Sequence, residues 1–454
     1  MRNILIIGAG KSVSQLVDYL LEHAEKEELS LTIGDKLLEK AQRLAGNHPR
    51  ARAIELDVFQ ELQREEAIRD AQLVISMLPA HLHIKIAENC LKLDKNLVTA
   101  SYVSEDMHAL DKQIKEKGLI FMNEVGLDPG IDHMSAMRII DRIRAEGGSI
   151  LLFESFTGGL IAPQHDTNHW NYKFTWNPRN VVLAGQSGAA EFMQEGSPKY
   201  IPYHQLFRRT EFLDVPDYGK FEAYANRNSL KYKEIYGLQD VLTLYRGTIR
   251  RVGFSRAWNA FVQLGMTDDS YTLQATETMS YHEFVNLFLP YSPSDNVELK
   301  LRHYLKIEQD DLLWDKLSEL DLFNKDKTIG LQNATPAQCL QKILEEKWTL
   351  SPEDKDMIVM YHKFGYKLDG KERQIDATMV LEGKNEINTA MAKSVGLPVG
   401  IAALGILNKV INTPGVQIPT DKAVYKPILE ELEHYGITFK EKESDYLGYN
   451  PDRL

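Results

Sequence analysis

Cysteine is almost missing from this chain: 454 residues contain two, Cys90 and Cys339, and nothing pairs them at a metal or redox spacing. That excludes a disulfide scaffold and a cysteine-ligated zinc site, and it fits a reducing compartment. No apolar stretch reads as long enough to cross a membrane. The opening "MRNILIIGAG" runs directly into an apolar segment and a glycine turn, leaving no room for a signal peptide. A cytoplasmic protein is expected. Low-complexity linkers and internal repeats are absent, as are a Gly-x-Ser-x-Gly elbow, a Walker loop and a Cys-x-x-Cys pair, which removes the common hydrolase, kinase and zinc chemistries. Positive charge is in deficit, with a net charge of −12, so the chain carries no overall footprint for nucleic acid or an anionic membrane.

What is present, 43% hydrophobic and 26% charged residues, is the composition of a folded chain of two or three domains. "NILII" at 3–7 is an apolar run ended by "GAG", and "SQLVDYLLEHAEK" then has helical periodicity. The same strand and helix alternation continues to "LIFMNEVG", which argues a doubly wound parallel sheet. Beyond Gly130 come β-rich aromatic segments of a second, mixed-sheet domain, then helical text from about 281 to 360. "QIDATMVLEGK" returns to strand, and "NTAMAKSVGLPVGIAALGILNKV" reads as a long apolar helix.

Gly8 and Gly10 fill the first two positions of a dinucleotide fingerprint, with Lys11 and Ser12 following and Val13 at the third position. After a strand and before a helix, such a loop brings backbone N–H groups to a pyrophosphate; the plainer reading is a tight turn alone. At the second strand end, Asp35 is placed to accept from an adenosine ribose and repel a 2′-phosphate, so the lean is to NAD. Lys36 beside it could hold that phosphate, which keeps NADP open, and Asp35 could equally serve only to cap the next helix.

"SMLP", "ASYVS" and "NEVGLDPG" begin where strands end, so Ser76, Leu78, Ser101, Tyr102, Glu124 and Asp128 are expected along one edge near the nicotinamide end of a cofactor. The Leu-Asp-Pro-Gly turn read alone is a chain reversal, but three successive strand ends carry hydroxyls or carboxyls. Elsewhere "YRGTIRRVGFSR" concentrates Arg246, Arg250, Arg251 and Arg256, with Arg227 nearby, a pattern suited to carboxylate or phosphate recognition. Strand alternation puts Arg246, Thr248 and Arg250 on one face and Arg251 on the other; Arg251 and Arg256 suit a solvated sheet face. His165 and His169 lie in loop-like text without a third ligand, so no metal is expected, and "HLH" at 81–83 reads as the start of a surface helix.

Seven segments in order, "TASYVS", "MNEVGLDPGIDHM", "GGLIAP", "YKFTWNPRNVVLAG", "YANRNS", "YRGTIRRVGF" and "AKSVGLPVGIAALGILNKVINTPGV", resemble the saccharopine reductases, the glutamate-forming saccharopine dehydrogenases of lysine metabolism. The resemblance implies a Rossmann domain over 1–130 completed by 390–454, a substrate and dimerisation α/β domain over 131–280 plus 361–389, a small helical domain over 281–360, and a homodimer. It implies that Ser101, Tyr102 and Asp128 contact saccharopine, that Arg227, Thr248 and Arg250 grip its carboxylates, and that Leu127 and Trp176 sit beside an NAD(P)H cofactor. Where the family has a cysteine before the Gly-Gly turn, this chain has Thr157.

The implied chemistry joins glutamate to aminoadipate semialdehyde as an imine, which hydride reduces to saccharopine; Asp128 and Tyr102 are the expected proton-handling residues. His133 is expected to cap or pack the following helix. Two other readings stand beside this one: a semialdehyde-imine reductase that takes a diamine, as in carboxynorspermidine formation, and a nicotinamide-binding sensor without turnover.

Overall fold

A run as apolar as Ile4–Ile7 has to be covered on both faces, and it forms the inner part of β1 (Arg2–Ile7), at the middle of a seven-stranded parallel sheet. The structure is a computed structural model describing residues 1–446 and 448. β1 is followed by β2 (Leu29–Asp35), β3 (Ala51–Glu55), β4 (Leu73–Ser76), β5 (Asn96–Val98) and β6 (Ile120–Met122), and the strand Gly415–Gln417 joins the edge beside β6. The spatial order is Gly415–Gln417, β6, β5, β4, β1, β2, β3. The order reverses between β4 and β1, so the Gly8–Gly10 turn stands at a topological switch point, where open sheets of this kind bind ligands.

The connecting helices are α1 (Ser14–Glu22), α2 (Leu38–Ala45), α3 (Glu61–Arg69), α4 (His83–Lys92), the short α5 (Glu105–Ala109) and α6 (Asp111–Glu116), and α7 (Ile131–Ala145). Against α1 packs the helix Ala390–Leu407. This corrects the expectation that no apolar stretch reaches membrane-spanning length: these 18 residues do so by length and composition, and 78% of the helix is buried inside the protein. Its glycines explain the fit. A Cβ on Gly396 would stand 2.7 Å from the backbone nitrogen of Leu16, and one on Gly400 would stand 2.7 Å from the Tyr19 ring. These glycines let the helix close on α1, while Val13, at the third fingerprint position, is packed inside.

The second sheet is mixed. It is built from β7 (Ser149–Ile161), β8 (Ala190–Gln194), β9 (Ser197–Ile201), β10 (Thr210–Val215), β11 (Gly219–Ala225), β12 (Thr243–Arg251), β13 (Asp356–Leu368), β14 (Lys371–Glu382) and the strand Lys440–Asp445. Its main path runs β10, β11, β12, β7, β13, β14, Lys440–Asp445, with the β8–β9 hairpin attached to β12. Beside it an aromatic core gathers Trp170, Tyr172, Phe174, Phe254, Trp258, Phe261 and Trp348, with ring centroids 5.1 Å apart for both Trp170–Trp348 and Tyr172–Trp348. The helical text of 281–360 becomes Tyr281–Asn286, Val297–Leu305, Leu312–Glu319 and Pro336–Trp348. Ser280 and Thr335 open the first and last of these with capping boxes.

By packing, the chain divides into two compact units. One holds Met1–Ser149, Leu368–Lys371 and Met379–Lys440; the other holds Ile150–Lys367, Glu372–Thr378 and the described part of Glu441–Leu454. α7 thus groups with the parallel sheet, and the helices between 281 and 348 fall inside the second unit. Of the C-terminal segment 390–454, residues 447 and 449–454 lie outside the described residues, and Lys440–Asp445 pairs in the second sheet. Gly396→Val should destabilise the first unit by about 1–3 kcal/mol, the usual cost of overpacking. Urea melts of wild type and variant would show an undiminished midpoint if the close approach to Leu16 were unimportant.

Candidate active site

The glycine loop can be tested as a phosphate cradle one residue at a time. Gly8 has an internal reason to be glycine: its φ is +105° and a Cβ would lie 2.7 Å from the Met77 carbonyl oxygen. Gly10 has none. Its φ is −76°, it is exposed, and a Cβ would meet nothing within 4 Å. The chain then makes a 3-10 turn over Lys11–Val13 into α1, and no side chain caps that turn. An open, side-chain-free approach to uncapped backbone N–H groups fits a dinucleotide pyrophosphate. Lys11 is exposed beside it and Ser12 is half-buried.

Asp35 is engaged internally. One carboxylate oxygen accepts from the Ala9 N–H at 2.8 Å and the other from the Leu37 N–H at 2.9 Å, so the side chain braces the glycine loop and the turn leaving β2. Lys36 is largely exposed, with its ammonium 3.5 Å from Asp57.

At the ends of β5 and β6 the residues of "SYV" and "NEVGLDPGIDH" come together. The Tyr102 hydroxyl donates to Asp128 Oδ1 at 3.1 Å, and both residues are half-buried. Behind them Glu124, at φ +55°, accepts from the Val103 N–H at 3.0 Å through Oε1, and its Oε2 lies 2.8 Å from His133 Nε2. His133 Nδ1 is 3.6 Å from Asp132 Oδ2, and Asp132 Oδ1 accepts from the Gly130 N–H at 2.6 Å. Glu124, Asp132 and His133 are buried, so this triplet is the scaffold on which the Tyr102–Asp128 pair is mounted. Leu127 is buried in the same turn, and Leu78 is half-buried in the turn after β4.

Ser76 turns inward. It is fully buried, and its hydroxyl lies 2.8 Å from Nδ1 of His83, whose Nε2 is 2.7 Å from Ser101 Oγ. This corrects the reading of "HLH" as a surface helix start: His83 is 5% exposed, and burial, aided by the charge of His81, holds its pKa down at about 4. A signal was present in the text. His83, Ile86, Ala87 and Cys90 follow the i, i+3, i+4, i+7 pattern of one buried helix face.

In the second unit Arg250 carries the most distinctive electrostatics. It is 4% exposed, its guanidinium lies 4.9 Å from the Tyr172 ring and 5.2 Å from that of Phe254, and its Nη1 donates to the Ile249 carbonyl. Its Nε is buried with no acceptor, and no carboxylate pairs with it among the described residues. Glu222 stands opposite it in the β11–β12 ladder, yet that carboxylate is taken by the N–H groups of Gly253 and Ser255 at the start of the helix Phe254–Leu264. A buried guanidinium left without a counter-charge is costly unless an anion arrives to share its donors.

The Tyr172 hydroxyl beside it also lacks a partner, and burial pushes its pKa up to about 12 against the opposing pull of Arg250. Tyr172 was missed in the sequence because "WNYKF" reads as core aromatic text. Thr157 on β7 is in register with Thr248 on β12, buried, with its hydroxyl unpartnered. Arg227 is exposed at φ +51°, and Trp176 is half-buried before the short helix Pro178–Val182. The other arginines are absorbed locally: Arg246 stacks on Tyr232, Arg251 on Phe221, and Arg256, which lies on a helix rather than a sheet face, pairs with Asp311.

Glycine loop, switch point and a tyrosine–aspartate pair at neighbouring strand ends define a dinucleotide-binding oxidoreductase of the α/β class. Residues 4–122 match the family model described as saccharopine dehydrogenase NADP binding domain, and residues 126–437 match the saccharopine dehydrogenase C-terminal domain. The chain belongs to the saccharopine dehydrogenase family.

Among its relatives is the saccharopine dehydrogenase [NADP(+), L-glutamate-forming] of Saccharomyces cerevisiae, 31% identical over 97% of this chain and 99% of that one. The mitochondrial alpha-aminoadipic semialdehyde synthase of Rattus norvegicus is also 31% identical, over 96% of this chain and 47% of that longer protein. The solved structure of apo histidine-tagged saccharopine dehydrogenase (L-Glu forming) from Saccharomyces cerevisiae superposes with a TM-score of 0.87, covering 98% of this chain and all of that one. The lean to NAD finds no support: the matched domain and the yeast relative are both described by NADP, and the Asp35 carboxylate on which the lean rested already accepts from two backbone amides.

Gly10→Ala should leave the melting temperature unchanged and weaken NADP(H) binding about tenfold or more, roughly 1.4 kcal/mol; fluorescence titration of the reduced cofactor reads this directly. His83 sets a pH dependence of stability. Its folded pKa of about 4 is below the unfolded value near 6.5, so the unfolded chain takes up the proton first, and stability is lost as pH falls from about 6.5 to 4. The loss amounts to roughly 3 kcal/mol at most. Denaturant melts at pH 7 and pH 4.5 should show a smaller difference for His83→Gln than for wild type.

Proposed function

We propose that this chain is an NADP-dependent oxidoreductase that interconverts saccharopine with L-glutamate and 2-aminoadipate 6-semialdehyde in lysine metabolism. The observation that carries the reading is Arg250, a buried guanidinium with an unshared donor and no carboxylate among the described residues to neutralise it. Saccharopine brings three carboxylates. Arg227 and Thr248 act with Arg250 as carboxylate contacts, and this choice of charge disfavours a diamine substrate. Two relatives similar over nearly the whole of this chain support the reading, since their names specify saccharopine and L-glutamate in one and alpha-aminoadipic semialdehyde in the other. A cytoplasmic homodimer belongs to the same reading.

In the reductive direction the glutamate amine adds to the aldehyde, and the carbinolamine loses water to give an iminium carbon. NADPH, when bound, supplies the hydride that this carbon accepts. The protein moves the protons. The Asp128 carboxylate takes the proton released when the attacking ammonium becomes an amine. The Tyr102 hydroxyl donates its proton to the carbinolamine oxygen as it leaves as water and takes up the proton held by Asp128 across their hydrogen bond, which returns Asp128 to its carboxylate form. Asp128 also stabilises the positive charge that develops on the iminium nitrogen, since a fixed carboxylate costs no reorganisation at that moment.

Mixing purified protein with saccharopine and either NADP or NAD should produce reduced nicotinamide together with free glutamate, faster with NADP. Asp128→Asn should lower turnover by about 10²–10⁴-fold while leaving the affinity for NADP(H) as it was. Undiminished turnover in that variant would remove Asp128 from the chemistry, and absence of glutamate in the wild type would remove the reaction itself.

A further inference from the structure

The chain Ser76–His83–Ser101 is not used by the mechanism above, yet it ends on a residue of the reacting edge. β4 delivers Ser76, the first turn of α4 delivers His83, and the loop after β5 delivers Ser101. A neutral imidazole donates from one nitrogen and accepts at the other, so the ring imposes a direction on whatever it joins. The ring is neutral at pH 7 because burial holds its pKa at about 4, and its place at the positive end of a helix works in the same sense.

The direction follows from the hydrogens. Ser76 is fully buried and Nδ1 of His83 is its hydroxyl's one partner among the described residues. If Nδ1 carried the proton, the Ser76 O–H would be buried with no acceptor, the costlier arrangement. Thr99 competes for the opposite nitrogen, since its Oγ1 lies 3.4 Å from Nε2, but that separation is at the limit of hydrogen bonding, against 2.8 Å for Ser76. Ser76 therefore donates to Nδ1, and Nε2–H donates to Ser101 Oγ. With its oxygen already accepting, Ser101 has its own hydrogen left for a ligand.

We propose that His83, fixed by Ser76 as the Nε2–H tautomer, is a positioning residue that makes the Ser101 hydroxyl a donor aimed at a substrate carboxylate. The identity of that carboxylate rests on the functional reading above; the tautomer does not. Ser101 adjoins Tyr102, so the same relay fixes the main chain from which the proton-handling hydroxyl extends.

Long-range proton–nitrogen correlation spectra of the full chain labelled with nitrogen-15 histidine report the tautomer of each of its 13 histidines. The His83 signals are assigned by their loss in His83→Gln. They should show the Nε2-protonated pattern, unchanged from pH 7 to pH 5. An Nδ1-protonated or titrating pattern overturns the proposal whatever the enzyme turns over.

In kinetics, His83→Gln carries an amide to the Nε2 position and keeps the bond to Ser101, whereas the shorter amide of His83→Asn reaches only the Nδ1 position. The Asn variant should raise KM for saccharopine about tenfold at unchanged KM for NADP, and the Gln variant by much less. Equal KM values in the two variants count against the role. A wild type inactive on saccharopine would overturn the functional reading, and the spectrum would still decide the tautomer.

Discussion

One buried carboxylate holds the reacting edge of the first unit in place. Glu124 leaves the end of β6 with a positive φ, a conformation that costs a non-glycine residue on the order of 1 kcal/mol. It spends one oxygen on the N–H of Val103 and the other on the imidazole of His133. Three segments meet there: the loop after β5, the loop after β6 and the first turn of α7. With Glu124 removed, a half-buried amide and a buried ring nitrogen would each lose a partner, which is costlier than the strain. Tyr102 and Asp128 lie on the two loops that this carboxylate joins, so their 3.1 Å hydrogen bond depends on it.

The two units handle buried polar groups in opposite ways. In the first, Ser76 pairs with His83 and His83 with Ser101; Glu124, His133 and Asp132 form a separate set; and the result is a rigid shelf beneath the half-buried Tyr102 and Asp128. In the second, Glu222 is diverted to cap a helix, and Arg250 and Tyr172 are left with donors that no described residue accepts. Satisfied networks give position, and unsatisfied donors give affinity for whatever carries the missing charge.

Much of the architecture was readable because it follows from local pattern. Apolar runs of strand length alternating with amphipathic stretches leave little choice but a parallel sheet with helical crossovers, and the glycine turn then falls at the carboxyl end of β1. The polar strand ends were likewise visible as Ser101, Tyr102, Glu124 and Asp128. What misled was treating each side chain as free to serve a ligand. Asp35 reads as a free ribose acceptor until the Ala9 and Leu37 amides are seen to engage one bond at each of its oxygens, and "HLH" reads as surface until α4 turns His83 inward. The helix Ala390–Leu407 reads from the sequence as a long apolar helix but not as one of membrane-spanning length, because Lys393 and its glycines break the run, although those glycines are what seat it on α1.

By itself the sequence determined which segments become strands and helices, where the glycine turn and the Leu-Asp-Pro-Gly turn fall, and which residue types are on hand at the strand ends. These depend on periodicity and backbone preference, which act over a few residues. Only the tertiary structure decided how the polar groups were shared out. It gave Glu222 to a helix terminus and left Arg250 without a counter-charge among the described residues, bound Ser76 to His83, and set Glu124 between two loops and a helix. A hydrogen bond closes over about 3 Å between residues that can lie anywhere along the chain, and partners of that kind are chosen by packing, after the local pattern has been satisfied.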